Sequence, residues 1–369
     1  MASRTPSRIT ITLLALWSSL KWLGRRRARL EPTRILVAHH LLLGDTLMLT
    51  PLLAKLRERY PKADLVMTTP RAAAILYDGR PYGVQALAYD LRDLGSVLRL
   101  LHHRGFDLAI VPGDNRYSWL ARALDARWVI AFAGDRPAYK SWPVDELLSY
   151  PDQPAAWGDM VAGLVFGPPP VPYDPAHWRA PECVAFDLPR QPYCVLHVGA
   201  SSALKLWEPS KWRELAARLE ETGYSVVWSA GRGEQTYVDR IDPERRRPRY
   251  AGVLDLAQLW HLIKNAAVLV SPDTGVAHLG RVVGTRTVVL FGPGSHIVSG
   301  GGEFWRNART RSVAVDPFPC RDQHILFKRE VVWVRRCGRG TDECHDNRCM
   351  QSITVDQVWR AVREVIDQN

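Results

Sequence analysis

The sequence predicts an α/β protein made of two doubly wound parallel-sheet domains in tandem, and three observations carry that expectation. Short apolar runs alternate with segments of helical spacing. The runs are continuous instead of alternating, as strands covered on both faces by helices must be. The pattern stops at a proline-dense stretch, "FGPPPVPYDPAHWRAPE" (166–182), and then starts again. Proline continues neither a helix nor a central strand, so this stretch reads as a linker. The expected divisions are a basic extension at 1–30, an N-terminal domain at 31–165, a linker at 166–190 and a C-terminal domain at 191–369. With 369 residues, 46% of them apolar, the chain has enough hydrophobic material for two cores.

Each element follows in order. "RILVA" (34–38) is the first strand, and the spacing turns helical around 47–59. "DLVMTT" (64–69), "DLAIVP" (107–112) and "WVIAF" (128–132) read as strands. Between them, "LGSVLRLLHH" (94–103) and "SWLARAL" (118–124) read as helices. After the linker, "YCVLHVG" (193–199) is a strand and "PSKWRELAARLEETG" (209–223) a helix opened by proline and closed by glycine. "YSVVWSAG" (224–231), "VLVS" (268–271) and "RTVVLFG" (286–292) are strands, with a helix at 255–266 and a short one before 286. The last helix, 354–366, fits either domain. Two such sheets place a ligand cleft at the strand C-termini.

The net charge of +11 is unevenly spread: residues 1–34 hold eight basic residues against Glu31 alone. The excess therefore belongs to the extension, which argues against a nucleic-acid groove. Between the arginines, "ITITLLALWSSLKWL" (9–23) is short for a span of about 20 residues, and no small-residue cleavage site follows it. With its basic tail it reads as lying on an anionic inner-leaflet surface; the alternative is an extra helix packed on the protein. Positive residues on its C-terminal side keep the rest of the chain cytoplasmic, as a peripheral protein of the inner membrane. Four of the six cysteines (Cys320, Cys337, Cys344, Cys349) crowd one end without the Cys-x2-Cys spacing of a zinc site, and are read as reduced structural thiols.

Three loops at strand ends of the second domain carry candidate chemistry. "HVGASSALKLWEPSKW" (197–212) offers small residues, the hydroxyl of Ser201 and one cation, Lys205, a set that suits a phosphate; an ordinary loop with a solvated lysine fits equally. In "GRGEQ" (231–235), Glu234 either accepts hydrogen bonds from a ribose or caps the next helix. In "SPDTGVAHLG" (271–280), the amides of Thr274, Gly275 and Val276 open a helix carrying His278 and suit an anion. Asp273 is otherwise an N-cap and His278 a core histidine. In the first domain, "HHLLLGDTLMLTP" (39–51) puts Asp45 among apolar residues where a strand hands over to a helix.

The ordered set "GDTLMLTP", "GASSALKLWEPSKW", "SAGRGE", "SPDTGVAHLGRVVGTRTVVLFGPGS" and a terminal "CM-x-x-I" resembles glycosyltransferase family 9, the lipopolysaccharide heptosyltransferase family. The resemblance covers about residues 34–366. It implies a GT-B fold, two Rossmann-like domains facing across a cleft, with the nucleotide-sugar on the C-terminal one. By the same resemblance Asp45 is the catalytic base, which takes the acceptor hydroxyl's proton or, read bottom-up, merely caps the 47–59 helix. Ser201, Lys205, Glu234, Asp273, Thr274, Gly275 and His278 match donor-binding positions. The chain departs from the family in its extension, in "DPERRRPRY" (242–250) and in the tail between Cys320 and Cys337. No Asp-x-Asp triplet occurs, so no metal-bridged diphosphate and no cofactor are expected. The partners implied are a nucleotide-sugar donor such as ADP-heptose, a lipid-linked core oligosaccharide acceptor and the anionic membrane surface. The same fold moving another sugar, a related epimerase and a non-catalytic scaffold are the competing readings.

Overall fold

The computed structural model describes residues 3–21 and 31–367; the cluster Arg25, Arg26, Arg27 and Arg29 lies outside them. The chain divides into two units, Met1–Val171 with Ile325–Trp333, and Pro172–His324 with Val334–Asn369.

Unit 1 opens with helix α1 (Thr5–Lys21) and continues β1 (Arg34–Val37), α2 (Leu43–Leu47), α3 (Thr50–Arg59), β2 (Asp64–Pro70), α4 (Arg71–Ala74), β3 (Val84–Tyr89) and α5 (Leu94–Leu100). Then come β4 (Phe106–Val111), α6 (Tyr117–Ala123), β5 (Ala126–Phe132), β6 (Glu146–Leu148) and α7 (Trp157–Ala162). The six strands are parallel in the order β3-β2-β1-β4-β5-β6. Strand order therefore reverses beside β1, and right-handed crossovers put α5 and α6 on one face of the sheet.

The helix expected over 47–59 is two helices, and Pro51 is the reason. A continuous helix would need the Pro51 N–H to bond the Leu47 carbonyl, and proline has none. The Thr50 hydroxyl takes that carbonyl instead, at 2.5 Å. Leu42 and Leu49 are the N-cap positions of α2 and α3, and neither helix has a side-chain cap.

Helix α1 turns its small residues inward. Ser7, Ile11, Ala15 and Ser18 are buried, Ile11 and Ala15 within the cluster that holds Leu120 and Ala121 of α6. Asp125 pins its end, accepting from Ser18 Oγ at 2.9 Å and Lys21 Nζ at 2.7 Å. The large residues Ile9, Leu13, Leu16, Trp17 and Leu20 stay outside, each about half or more exposed.

A late segment completes unit 1: the hairpin of β13 (Ile325–Leu326) and β14 (Arg329–Glu330). Buried Arg329 donates to Asn115 Oδ1 at 2.6 Å and Ala133 O at 2.9 Å, and stands 3.5 Å from Asp135 Oδ2. Lys140 holds the other Asp135 oxygen at 2.9 Å.

Unit 2 runs β7 (Tyr193–His197), α8 (Pro209–Glu221), β8 (Ser225–Ala230), α9 (Gln235–Ile241), β9 (Arg249–Ala251), α10 (Leu256–Lys264), β10 (Val268–Pro272), α11 (Gly275–Val283), β11 (Thr287–Phe291) and β12 (Thr310–Ala314), with α12 (Arg348–Gln351) and α13 (Val355–Asp367) at the end. Its parallel sheet, β12-β11-β10-β7-β8-β9, repeats the unit 1 winding, so strand order reverses between β7 and β10. The two-domain α/β expectation holds. Helix α13 belongs to unit 2: Val355, Val358, Ala361, Val362 and Val365 are in the core with β8 and β10 residues. Edge strands β3, β6, β9 and β12 are additions to the sequence reading: β6 and β9 have only three residues each, and outer strands carry polar residues such as Gln85 and Arg311 that break the apolar run.

Candidate functional site

In a doubly wound sheet, a crevice opens at the strand C-termini where strand order reverses. In unit 2 that point lies between β7 and β10, and the sequence-read loops meet there. Lys205 follows β7, and its ammonium donates to the Asp273 carbonyl at 2.7 Å and to Asp273 Oδ2 at 3.0 Å, just past β10. The loop that carries Lys205 is rigidly backed. Trp207 is fully buried, stands edge-on to Trp212 with centroids 5.1 Å apart, and donates to Ile353 O at 2.9 Å. Its burial is worth about 3–5 kcal/mol against an alanine. Asn347 and Gln351 each hold the Leu206 carbonyl at 3.0 Å. The terminal "CM-x-x-I" stretch thus braces the lysine loop from beneath.

Asp273 is not an N-cap: that position of α11 is Thr274, which makes no side-chain cap bond. The Ala277 N–H of this nine-residue helix is taken by the Thr274 carbonyl at 3.1 Å, no side chain caps the Gly275 and Val276 amides before it, and the helix dipole favours an anion there. Asp273 is nearly buried, and Gly294 comes so close that a Cβ there would collide with its carboxylate.

Every residue of α11 from Val276 to Val283 is buried. Arg281 is therefore a charge inside an apolar helix, and sequence reading passed over it, although a lone arginine in "VAHLGRVV" was the available signal. Its Nη1 donates to Ser299 O (3.0 Å), Gly300 O (3.1 Å) and His278 Nδ1 (3.3 Å). Burial pulls the guanidinium down to about 10, with Asp273 opposing; it is still charged at neutral pH. Since arginine only donates, His278 Nδ1 accepts and the ring proton sits on Nε2. Burial, then the charges of Arg281 and Lys205, hold His278 well below its usual pKa. His278 is a neutral hydrogen-bond donor at this edge.

Glu234 joins the first two loops. It accepts from Gly231 N at 2.6 Å, and its carboxylate fills the space a Cβ on Gly199 would need. It occupies the N-cap position of α9 but makes no side-chain cap bond. Ser201 is exposed, while its neighbour Ser202 caps the turn before Lys205, accepting from Leu204 N at 3.3 Å. The unit 2 edge thus gathers Lys205, Asp273, Thr274, Gly275, His278 and Arg281, with Glu234 bridging from the β8 side.

In unit 1, Asp45 is half-buried in the first turn of α2, past the C-terminal end of β1. It caps neither α2 nor α3. Strand order reverses at β1, so this is the corresponding edge of the first sheet. Close by in the chain, His39 is fully buried and bonds the Leu41 N–H at 3.2 Å.

Cys320, Cys337, Cys344 and Cys349 line one cavity of about 410 Å³ and are free thiols. Burial pushes Cys349 up to about 11. Among the described residues no group of three or more His, Cys, Asp or Glu is placed to hold a metal ion.

Three buried histidines make acid lability an expected property. Burial holds His39 at about 3 and His197 at about 4, with His278 also depressed, all from 6.5. The unfolded chain binds these protons first, so the stabilisation is complete above about pH 6.5 and declines as pH falls towards the folded values. Each histidine removes about 1.4 kcal/mol per pH unit once below that range. Denaturant midpoints should fall steeply between pH 6.5 and 4.5, and His197→Gln should flatten the slope by about one proton. A midpoint independent of pH over that range would contradict the assignment.

A family model for glycosyltransferase family 9 (heptosyltransferase) matches residues 94–323. Lipopolysaccharide heptosyltransferase 3 of Escherichia coli (strain K12) is 24% identical over 294 residues, 71% of this chain and 82% of that protein. Among solved structures, a glycosyl transferase family 9 protein from Veillonella parvula superposes with a TM-score of 0.71 at 16% identity, over 92% of this chain and 99% of that one. The ADP-heptose lps heptosyltransferase II of E. coli gives 0.67 at 16% identity, over 91% and 99%.

Proposed function

This chain belongs to glycosyltransferase family 9 (heptosyltransferase), and from that premise we propose that it transfers heptose from ADP-heptose to a hydroxyl of a lipid-linked lipopolysaccharide core. The reaction takes place at the cytoplasmic face of the inner membrane, to which the N-terminal segment holds the protein. The observation that carries this reading is the Lys205–Asp273 pair at the strand reversal of unit 2, immediately before the α11 N-terminus.

The acceptor oxygen attacks the anomeric carbon from the side opposite the diphosphate, and the configuration at that carbon is inverted. Asp45 takes the proton as the new C–O bond forms. The bond to the diphosphate oxygen breaks, and the leaving ADP carries the electron pair. Lys205, the α11 amides and the His278 Nε2–H meet the charge that grows on it. Glu234 faces the ribose of the donor and Ser201 a phosphate oxygen. Protein groups alone neutralise the diphosphate, since the sequence contains no Asp-x-Asp triplet.

Purified enzyme with a core acceptor should release ADP with ADP-heptose and fail with UDP- or GDP-sugars. Turnover should be the same with and without EDTA. Loss of activity in chelator, restored by magnesium or manganese, would overturn the metal-free reading. Turnover with another nucleotide-sugar alone would replace the donor.

A further inference from the structure

A surface helix of a water-soluble unit ordinarily faces its large apolar residues inward. Helix α1 is built the other way round. Its small row, Ser7, Ala15 and Ser18, lets it lie close to the sheet-covering layer, and Asp125 locks it in place. Ile9, Leu13, Leu16, Trp17 and Leu20 project away, each at least 49% exposed. The outward side does not end with α1. Helix α5 lies beside it on the same face of the sheet, its Val97 and Leu100 sharing a cluster with Ile11 and Ala15, while its Leu94 and Leu98 are exposed. The Arg104 guanidinium, just beyond α5, lies 5.6 Å from the Trp17 ring centre.

We propose that the outward rows of α1 and α5 together form a face that seats unit 1 on an anionic bilayer surface. This rests on the reading that the acceptor is lipid-linked, and it extends the attachment beyond the N-terminal segment to α5 and Arg104. Charge selects the occupant. Arg4, Arg8 and Arg104 accompany the apolar rows, and the acids Asp125 and Asp93 are already matched by Lys21 and by Arg71 with Arg99, so the face keeps an excess of positive charge. A second copy docked on this face would bring the same cations against these. Anionic headgroups complement them, and the leucines and Trp17 enter the acyl boundary. The orientation also serves the reaction. The end of α1 is held at Asp125, just past the end of α6, and its middle packs with Leu120 and Ala121, so α1 runs alongside α6 and its start lies towards Tyr117, at the strand-end edge that follows β4. A bilayer on this face would therefore lie alongside the edge that receives a lipid-linked acceptor.

The test is co-sedimentation of the full chain with vesicles of phosphatidylcholine, with and without 30% phosphatidylglycerol. Two paired variants are compared, Leu13→Gln with Trp17→Gln on α1, and Leu98→Gln with Arg104→Gln on and after α5. Each pair is expected to weaken binding roughly tenfold or more, and binding to weaken similarly without the anionic lipid or in high salt. Both should keep turnover on a soluble, delipidated acceptor, which also verifies their folding. If only the α1 pair releases the protein, the N-terminal segment is the whole anchor and the proposed face fails. If the parent is a dimer without vesicles and the α1 pair makes it monomeric, the face is a self-interface and the proposal falls. Absence of heptose transfer by the parent would instead defeat the reading of function, whatever the vesicles show.

Discussion

Asp45→Asn is expected to lower the transfer rate about a hundred- to ten-thousand-fold, the range typical of a lost general base, while ADP-heptose affinity stays unchanged. The amide keeps the size and hydrogen-bonding reach of the carboxylate but cannot take the acceptor proton. The usual alternative for such a residue, that it caps a helix, finds no support in α2 or α3, whose N-cap positions are Leu42 and Leu49. Loss of a cap would cost about 1 kcal/mol and shift the melting temperature; loss of a base shifts kcat alone. Single-turnover rates together with calorimetric donor binding separate the two. Near-normal turnover with intact donor affinity would remove Asp45 from the chemistry.

Lys205→Met should reduce kcat/KM about a hundred- to a thousandfold, the magnitude typical when one preorganised donor to a developing anion is removed. Here the cost has a second component, because the ammonium also holds Asp273 through its carbonyl and Oδ2. Without it a nearly buried carboxylate beside Gly294 loses its cation, and stability should fall by about 1–3 kcal/mol. The measurement is kcat/KM corrected for folded fraction, with ADP affinity determined in parallel. A variant that is merely less stable, with full activity per folded molecule, would reduce Lys205 to a strut for Asp273.

Much of the architecture was legible because a parallel sheet covered on both faces writes itself as unbroken apolar strands, and "YCVLHVG", "VLVS" and "RTVVLFG" all sit in the unit 2 sheet. What periodicity cannot carry is which partner a residue meets. The break before α3 depends on one missing N–H at Pro51, invisible to apolar spacing. Helix α13 shows a clean stripe, but a stripe states that a face is buried and not against which sheet. The loops bearing Lys205 and Asp273 were legible as loops, and parallel pairing of β7 with β10 put them on one edge. Their direct contact is tertiary; the proton on His278 Nε2 is set by Arg281, three residues on along α11, whose own placement depends on the distant Ser299 and Gly300 carbonyls.

Arg329 gives the chain a schedule. Its partners Asn115, Asp135 and the Ala133 carbonyl leave the ribosome first, and Arg329 follows about 190 residues after Lys140. At ~5–20 residues per second the first-made half waits about 10–40 s for its own guanidinium. Of the partners that Asp135 has in the folded unit, only Lys140 and the Asn115 N–H have been made before that interval ends. A premature stop anywhere before residue 325 therefore damages the part of the protein that was translated earliest. The two units are separate in folding pattern but not in synthesis, since a nascent chain does not hold all of unit 1 until translation has passed residue 333.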